Sequence, residues 1–205
     1  MTALKQKHDD TIVIDTGTGT QTVESIEIFD LVPETDPILR QVLPEFDFDN
    51  APINAADFAS SMVETCIKNN GYGLSANQCG FPYRMFVMGA GQEYVAFFNP
   101  VLMKTEGEVH IKEACLSFPG LSLSITRPEK IWVKYQDYTG EWKEANYVGM
   151  SARCWLHELD HMDGIVYTMK AKPLALQSGF KKRDKVTKMM TRYFKAQNKM
   201  VQATQ

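Results

Sequence analysis

The sequence predicts an α+β fold, in which helices alternate with antiparallel β-hairpins, and three observations carry that reading. An apolar stripe at helical spacing runs through residues 55–70. The middle of the chain breaks into short β-rich runs joined by tight, glycine-containing turns rather than by helical crossovers. A further helical segment, 151–162, carries most of the chemistry-bearing side chains.

The elements follow in order. Residues 1–24 are rich in Thr and Gly (Thr16-Gly17-Thr18-Gly19-Thr20) around one β-like run, Thr11-Ile12-Val13-Ile14, and read as a loosely held N-terminal extension. The first helix is expected over 55–70. Asn54 is a good N-cap, Phe58, Met62 and Cys66 line one face with Ala59, Val63 and Ile67 beside them, and Gly71 is expected to supply the stop. Strands are expected at 84–88 and 94–98, separated by Gly89, Gly91 and Gln92. The alternating run 131–135, the turn Asp137-Tyr138-Thr139-Gly140 and the run 141–148 read as a hairpin. A second helix is expected from 151 to about 162, stopping near Gly164, and a third from near Ser178 to about 197. There are no internal repeats. The chain is expected to divide into an extension (1–24), a main domain (25–172) and a C-terminal helix with its tail (173–205).

Composition excludes several classes. The 205 residues are 44% hydrophobic and 23% charged, enough for one domain with a core and unlike a disordered chain. The net charge of -3 argues against a polyanion binder as a whole and against sequence-specific nucleic-acid recognition. No apolar stretch approaches the roughly 18 residues of a membrane helix, and no early apolar segment follows basic residues as in a secretory signal. The first 24 residues hold no Arg but include Asp9, Asp10, Asp15 and Glu24, unlike a transit peptide. Four cysteines (Cys66, Cys79, Cys115, Cys154) are few for a disulfide scaffold, so a reducing, cytoplasmic compartment is expected.

The most informative segment is His157-Glu158-Leu159-Asp160-His161. On a helix, residues four apart share a face one turn apart, so two imidazoles can grip one metal ion while Glu158 handles protons. The bland alternative is a chance match with solvated side chains. Two His are not enough, because a catalytic site normally adds a third protein ligand and leaves one position open. Residues 162–205 contain no His and no Glu. Gly164 imitates a longer protease pattern, but Tyr167 stands where its final His would be. Upstream, Cys154 shares the helical face but lies roughly 10 Å along the axis from His161, and is better read as a small apolar lining residue. His110, in a polar strand-like stretch, and Cys115, where an apolar run breaks into Pro119-Gly120, both remain open, although a lone cysteine is most often simple packing.

Three segments together resemble peptide deformylases. Gly71-Tyr72-Gly73-Leu74-Ser75-Ala76-Asn77-Gln78 looks like that family's first motif, Glu113-Ala114-Cys115-Leu116-Ser117 like its second, and His157–His161 like its third. Asp36-Pro37-Ile38-Leu39-Arg40, Thr126-Arg127-Pro128 and 137–140 fit in order around them, so the match covers roughly 26–170. Three departures stand out. Ser75 replaces the usual Ala, Ala114 the usual Gly, with a question over any backbone angle only Gly allows, and Leu156 the usual Gln.

The resemblance implies antiparallel β-sheets packed around a central helix that carries the HExxH segment, with an additional C-terminal helix. It implies removal of the formyl group from N-formylmethionine of nascent polypeptides, with formate released. One divalent ion, iron(II) in many family members, is implied on Cys115, His157 and His161. The ligand set would equally suit zinc, nickel or cobalt. Glu158 is implied as the proton carrier, and Gln78 and the Leu116 N–H as donors to the formyl oxygen. Gly71 and Gly73, flanking Tyr72, are expected at an edge where a substrate backbone could pair. Cys154 is implied as a wall of the methionine pocket, and Arg153 and Trp155 beside it in sequence have no assigned place.

Two other readings compete. A zinc endopeptidase lacks its downstream ligand, and a non-enzymatic metal-binding or ribosome-associated module would be expected to have lost Glu158 or Gln78. The C-terminal helix sets Lys181, Lys182, Arg183, Lys185, Lys188, Arg192, Lys195 and Lys199 against one acid, Asp184. Val186, Met189, Met190, Tyr193 and Phe194 form a stripe expected to dock on the domain or on a partner. A solvated basic face is the commoner use of such a pattern. The resemblance adds contact with ribosomal RNA.

Overall fold

The computed structural model describes Val13–Asp15, Thr20–Thr22 and residues 26–203 other than Pro52 and Gln92. Strands β1 (Val13–Asp15) and β2 (Thr20–Thr22) pair antiparallel. The rest of the expected 1–24 extension lies outside the described residues. A 3-10 turn at Pro37–Arg40 is capped by Asp36, whose carboxylate accepts from the Ile38 N–H at 2.9 Å.

Helix α1 (Ala55–Lys68) begins where its cap requires, with the Asn54 side chain accepting from the N–H groups of Ala56 and Asp57 at 2.9 and 3.1 Å. Its expected stripe, Phe58, Met62 and Cys66, is buried. Its end differs from the sequence reading. Asn70, not Gly71, takes the left-handed conformation (φ 55°), because a short amide side chain tolerates that region. Gly71 is small for another reason: a Cβ there would lie 2.8 Å from Leu116 Cδ1 and 3.0 Å from Cys66 Sγ.

Strands β3 (Gly73–Ser75), β4 (Met85–Ala90) and β5 (Glu93–Glu106) run antiparallel in sequence. Strand β5 is far longer than expected and carries two irregularities, one beside Asn99. The Asn99 side chain pins that bend by accepting from the Phe46 N–H at 2.7 Å and donating to the Phe46 carbonyl at 2.9 Å. Strands β6 (Val109–Ala114) and β7 (Ser122–Arg127) form a separate two-stranded sheet. The expected hairpin is β8 (Lys130–Gln136) and β9 (Trp142–Val148), and the larger sheet runs β3-β4-β5-β8-β9.

Helix α2 (Gly149–Met162) is the centrepiece: every residue from 155 to 162 is buried. Trp155 packs edge-on against Phe86, which stacks on Phe97, so one face of α2 is set by the larger sheet. At its end Gly164 has φ 69°, and a Cβ there would lie 2.8 Å from the carbonyl carbon and oxygen of Arg40. The Gly that imitates a protease pattern is therefore there for backbone approach.

Helix α3 (Pro173–Ala203) begins earlier than expected, with Pro173 in its first turn, where a missing N–H costs nothing. Leu176 and Phe180 pack on the cluster of Leu121, Leu123 and Tyr167, and Arg183 holds Glu34 with two bonds of 2.7 and 3.2 Å. Beyond this base every residue over 184–199 is exposed, including Val186, Met189, Met190, Tyr193 and Phe194. The stripe does not dock on the domain: only the first turns of the helix, through Leu176 and Phe180, lie against it.

Gly164→Ala should lower stability by at least about 2 kcal/mol, combining a positive φ with a backbone clash. The midpoint of urea unfolding at unchanged slope measures this. A loss below about 0.5 kcal/mol, within the range of an ordinary surface change, would show that the Arg40 backbone gives way.

Candidate metal centre

Two segments meet at the buried end of α2. The helix repeat sets His157 and His161 on one face, with ring centroids 5.3 Å apart. Cys115 follows β6 directly, at the head of a turn closed by the Phe118 N–H donating to the Cys115 carbonyl at 3.0 Å. The donor atoms of Cys115, His157 and His161 all lie within 4.8 Å of one another, and all three residues are buried. Cys115 Sγ and His161 Nε2 are 3.3 Å apart. A tetrahedral ion with bonds of about 2.0–2.3 Å needs donors roughly 3.3–3.7 Å apart, so the cluster fits one ion with small adjustments. One thiol and two imidazoles suit a divalent transition metal, not calcium or magnesium.

The structure separates the two third-ligand candidates. His110 is exposed on β6, bonded to Thr126 Oγ1 at 3.0 Å, and takes no part. Cys154 is half-buried and outside the donor cluster. Burial pushes its thiol well above the ordinary value, and pushes Cys66 up to about 12, so both remain neutral.

Glu113 supports the cluster from behind. Its Oε2 lies 3.0 Å from His157 Nδ1, which leaves His157 Nε2 free to face Cys115 and His161. Arg127 grips the same carboxylate with two bonds of 2.6 and 2.8 Å and reaches Asp160 Oδ2 at 2.8 Å. Arg153 donates to Glu113 Oε1, to the Ile125 carbonyl at 3.0 Å and to the Val109 carbonyl at 2.7 Å. Lys170 completes the set on Asp160 at 2.6 Å. Burial raises the Glu113 pKa, but the bonds from His157 and Arg127 outweigh it and hold the carboxyl down at about 2. Sequence reading missed this network. It assigns no role to Glu113, Arg127 or Asp160 and leaves Arg153 and Trp155 unplaced; both are buried. The available signal was the spacing Arg153, His157, Asp160 along one helix face.

The remaining predicted residues converge in part. Gln78 Oε1 accepts from the Ser75 N–H at 2.9 Å, so its Nε2 must turn the other way, to Ser117 Oγ at 3.0 Å and Cys115 Sγ at 3.4 Å. Glu158 is buried, and its Oε2 accepts from the Ser75 hydroxyl at 2.6 Å. Burial pushes its carboxyl above the ordinary range, only partly offset by His157 and Ser75. A Cβ at Gly73 would lie 2.5 Å from Glu158 Oε1 and 2.9 Å from Cys154 Sγ, so only glycine fits between them.

Strand β3 is an edge strand, as expected for the Gly-Tyr-Gly segment. The Gly89 N–H donates to the Tyr72 carbonyl at 2.9 Å, so by antiparallel alternation Gly73 turns its polar backbone groups to the open edge. Gly71 instead spends its groups inside the chain: its N–H goes to the Cys66 carbonyl at 2.9 Å, and its carbonyl accepts from Tyr94 Oη at 2.7 Å. Leu116 is half-buried and packs its side chain toward Gly71. Ala114 is outside the left-handed region, so the departure from Gly there costs no special angle. Leu156 is buried in the core beside Trp155.

A family model for polypeptide deformylase matches residues 28–177 of the chain. A peptide deformylase of Thermotoga maritima is 37% identical over 140 residues, spanning 67% of this chain and 84% of that protein. The crystal structure of a peptide deformylase from Legionella pneumophila superposes with a TM-score of 0.72 at 29% identity, covering 81% of this chain and 99% of that one. That from Synechococcus elongatus, solved in complex with actinonin, gives 0.71 at 28% identity, covering 76% and 88%.

Glu113→Ala would leave Arg127 and Arg153 buried without their shared counter-charge. Breaking such a group from one side costs about 3–5 kcal/mol. Thermal and urea unfolding of the variant should show that loss, and a purified variant as stable as the parent would refute the supporting role.

Proposed function

The chain belongs to the polypeptide deformylase family, and on that premise we propose how its residues divide the reaction. The chain is an enzyme that removes the N-formyl group from nascent polypeptides. The observation that carries the assignment is the buried cluster of Cys115, His157 and His161, with Gln78 on Cys115 and Glu158 joined to Gln78 through Ser75.

Cys115, His157 and His161 hold a single divalent ion, for which iron(II) is our choice. Such an ion supplies Lewis acidity, polarising the formyl carbonyl and lowering the pKa of water. Glu158 takes a proton from the attacking water and passes it to the leaving amine. The formyl C–N bond breaks, a water oxygen ends on carbon, and formate and a free amino terminus leave. Gln78 Nε2 and the Leu116 N–H donate to the formyl oxygen as negative charge gathers there. Gly73 offers its backbone to an extended substrate at the β3 edge, with Gly71 shaping the segment before it. Cys154, neutral and beside Gly73, lines the methionine pocket.

The compartment that fits this substrate is the cytoplasm, where new chains emerge. No helix among the described residues is long and apolar enough to cross a membrane. The exposed, basic outer part of α3 supports contact with ribosomal RNA. Charge complementarity is the reason, with the docked base of the helix serving as the mount.

Formate release from formyl-Met-Ala-Ser after anaerobic iron loading, with a chelated control, tests the activity. Glu158→Gln should retain the metal and lose about 10²–10⁴-fold in rate. Cys115→Ala should lose tight metal binding while Cys66→Ala keeps it. Full metal occupancy in Cys115→Ala would move the ligand elsewhere.

Charge reversal at Lys181, Lys182, Lys185 and Lys188 spares the Arg183–Glu34 anchor. It should leave tripeptide deformylation intact and weaken ribosome co-sedimentation, which in the parent should fall steeply with salt. Equal co-sedimentation would leave only a solvated basic face.

A further inference from the structure

We propose that Ser75 is a positioning residue for the reaction, holding the proton carrier Glu158 and the oxyanion donor Gln78 in register from one backbone position. The proposal rests on the roles given to those two residues above. Ser75 is fully buried at the end of β3. Its hydroxyl donates to Glu158 Oε2 at 2.6 Å, a short bond of the charge-assisted kind, and only the weaker 3.4 Å approach to the Glu158 carbonyl competes for it. Its N–H donates to Gln78 Oε1 at 2.9 Å and so fixes which face of that amide presents Nε2 to Cys115 and Ser117.

The carboxylate needs such a hold. Glu158 Oε1 packs against the Gly73 backbone, in the space a Cβ would otherwise fill. A glutamate has free side-chain torsions, and the contact at Gly73 is made on the Oε1 side. Ser75 supplies the constraint from the other oxygen. A hydroxyl can also serve through a proton-transfer cycle: it donates to the carboxylate and can accept from the protonated acid after rotating. Alanine, which the family usually has at this position, can do neither, so this chain has added a contact to the carboxylate that acts.

The test is a double-mutant cycle on the iron-loaded enzyme with formyl-Met-Ala-Ser. Ser75→Ala removes one atom and introduces no new contact, and metal content and melting temperature are read alongside the kinetics. The expected result is a fall in kcat of about tenfold with KM and metal occupancy unchanged, part of the contribution of a positioned acid/base group. In a Glu158→Gln background the same change should cost less than twofold, because Ser75 acts through the Glu158 carboxylate. An active parent whose kcat is unmoved by Ser75→Ala overturns the proposal and leaves the assigned function standing. So does an equal loss in both backgrounds, which marks a merely structural residue. A parent that releases no formate overturns the function itself, and this proposal with it.

Discussion

The site depends on one buried carboxylate. Glu113 sits at the end of a two-stranded sheet, yet three of its partners, Arg127, Arg153 and His157, come from two other elements. Remove it and β6, β7 and α2 lose their common reference point, since Cys115 follows two residues further along, just past the end of β6. The sheet and helix must be held to within a fraction of an ångström for a thiol and two imidazoles to share one ion. Two arginines against Glu113 and Asp160 balance the charge locally, which makes burial of so many ionised groups tolerable.

Much of this was readable in the linear chain, where local physics decides the outcome. The Asn54 cap, the Phe58-Met62-Cys66 stripe, the hairpin around 137–140 and the two imidazoles one turn apart depend only on neighbours within a few residues. The identity of the third metal donor did not follow from such rules. Cys115 and His110 both lie far from His157 in sequence, and only tertiary packing turns one inward and the other to solvent. Arg153 has no place in the linear chain for a related reason: its partner Glu113 lies on a distant strand and gives no local sign. Gly71 was credited with a stop that Asn70 performs, because closeness to a side chain and freedom of backbone angle select the same amino acid.

The glycines of the first motif illustrate how one residue type serves different ends. Gly71 makes room for Leu116 and Cys66, while Gly73 makes room for Glu158 and presents an open edge. An unpaired edge strand is usually a hazard for uncontrolled association. Here it is only three residues long, and its next residue turns into a short helix capped by Gly80 in the left-handed conformation, which limits what can add to it.

Helix α3 also affects how the molecule behaves in bulk solution. Its described outer part, 184–203, extends roughly 30 Å past the last anchoring side chain at 1.5 Å per residue. A domain bearing such a rod experiences more friction than a sphere of equal mass, and its tumbling is anisotropic. On size-exclusion chromatography a monomer would therefore elute ahead of its mass. An early-eluting peak would be weak grounds for assigning a dimer without light scattering or sedimentation velocity.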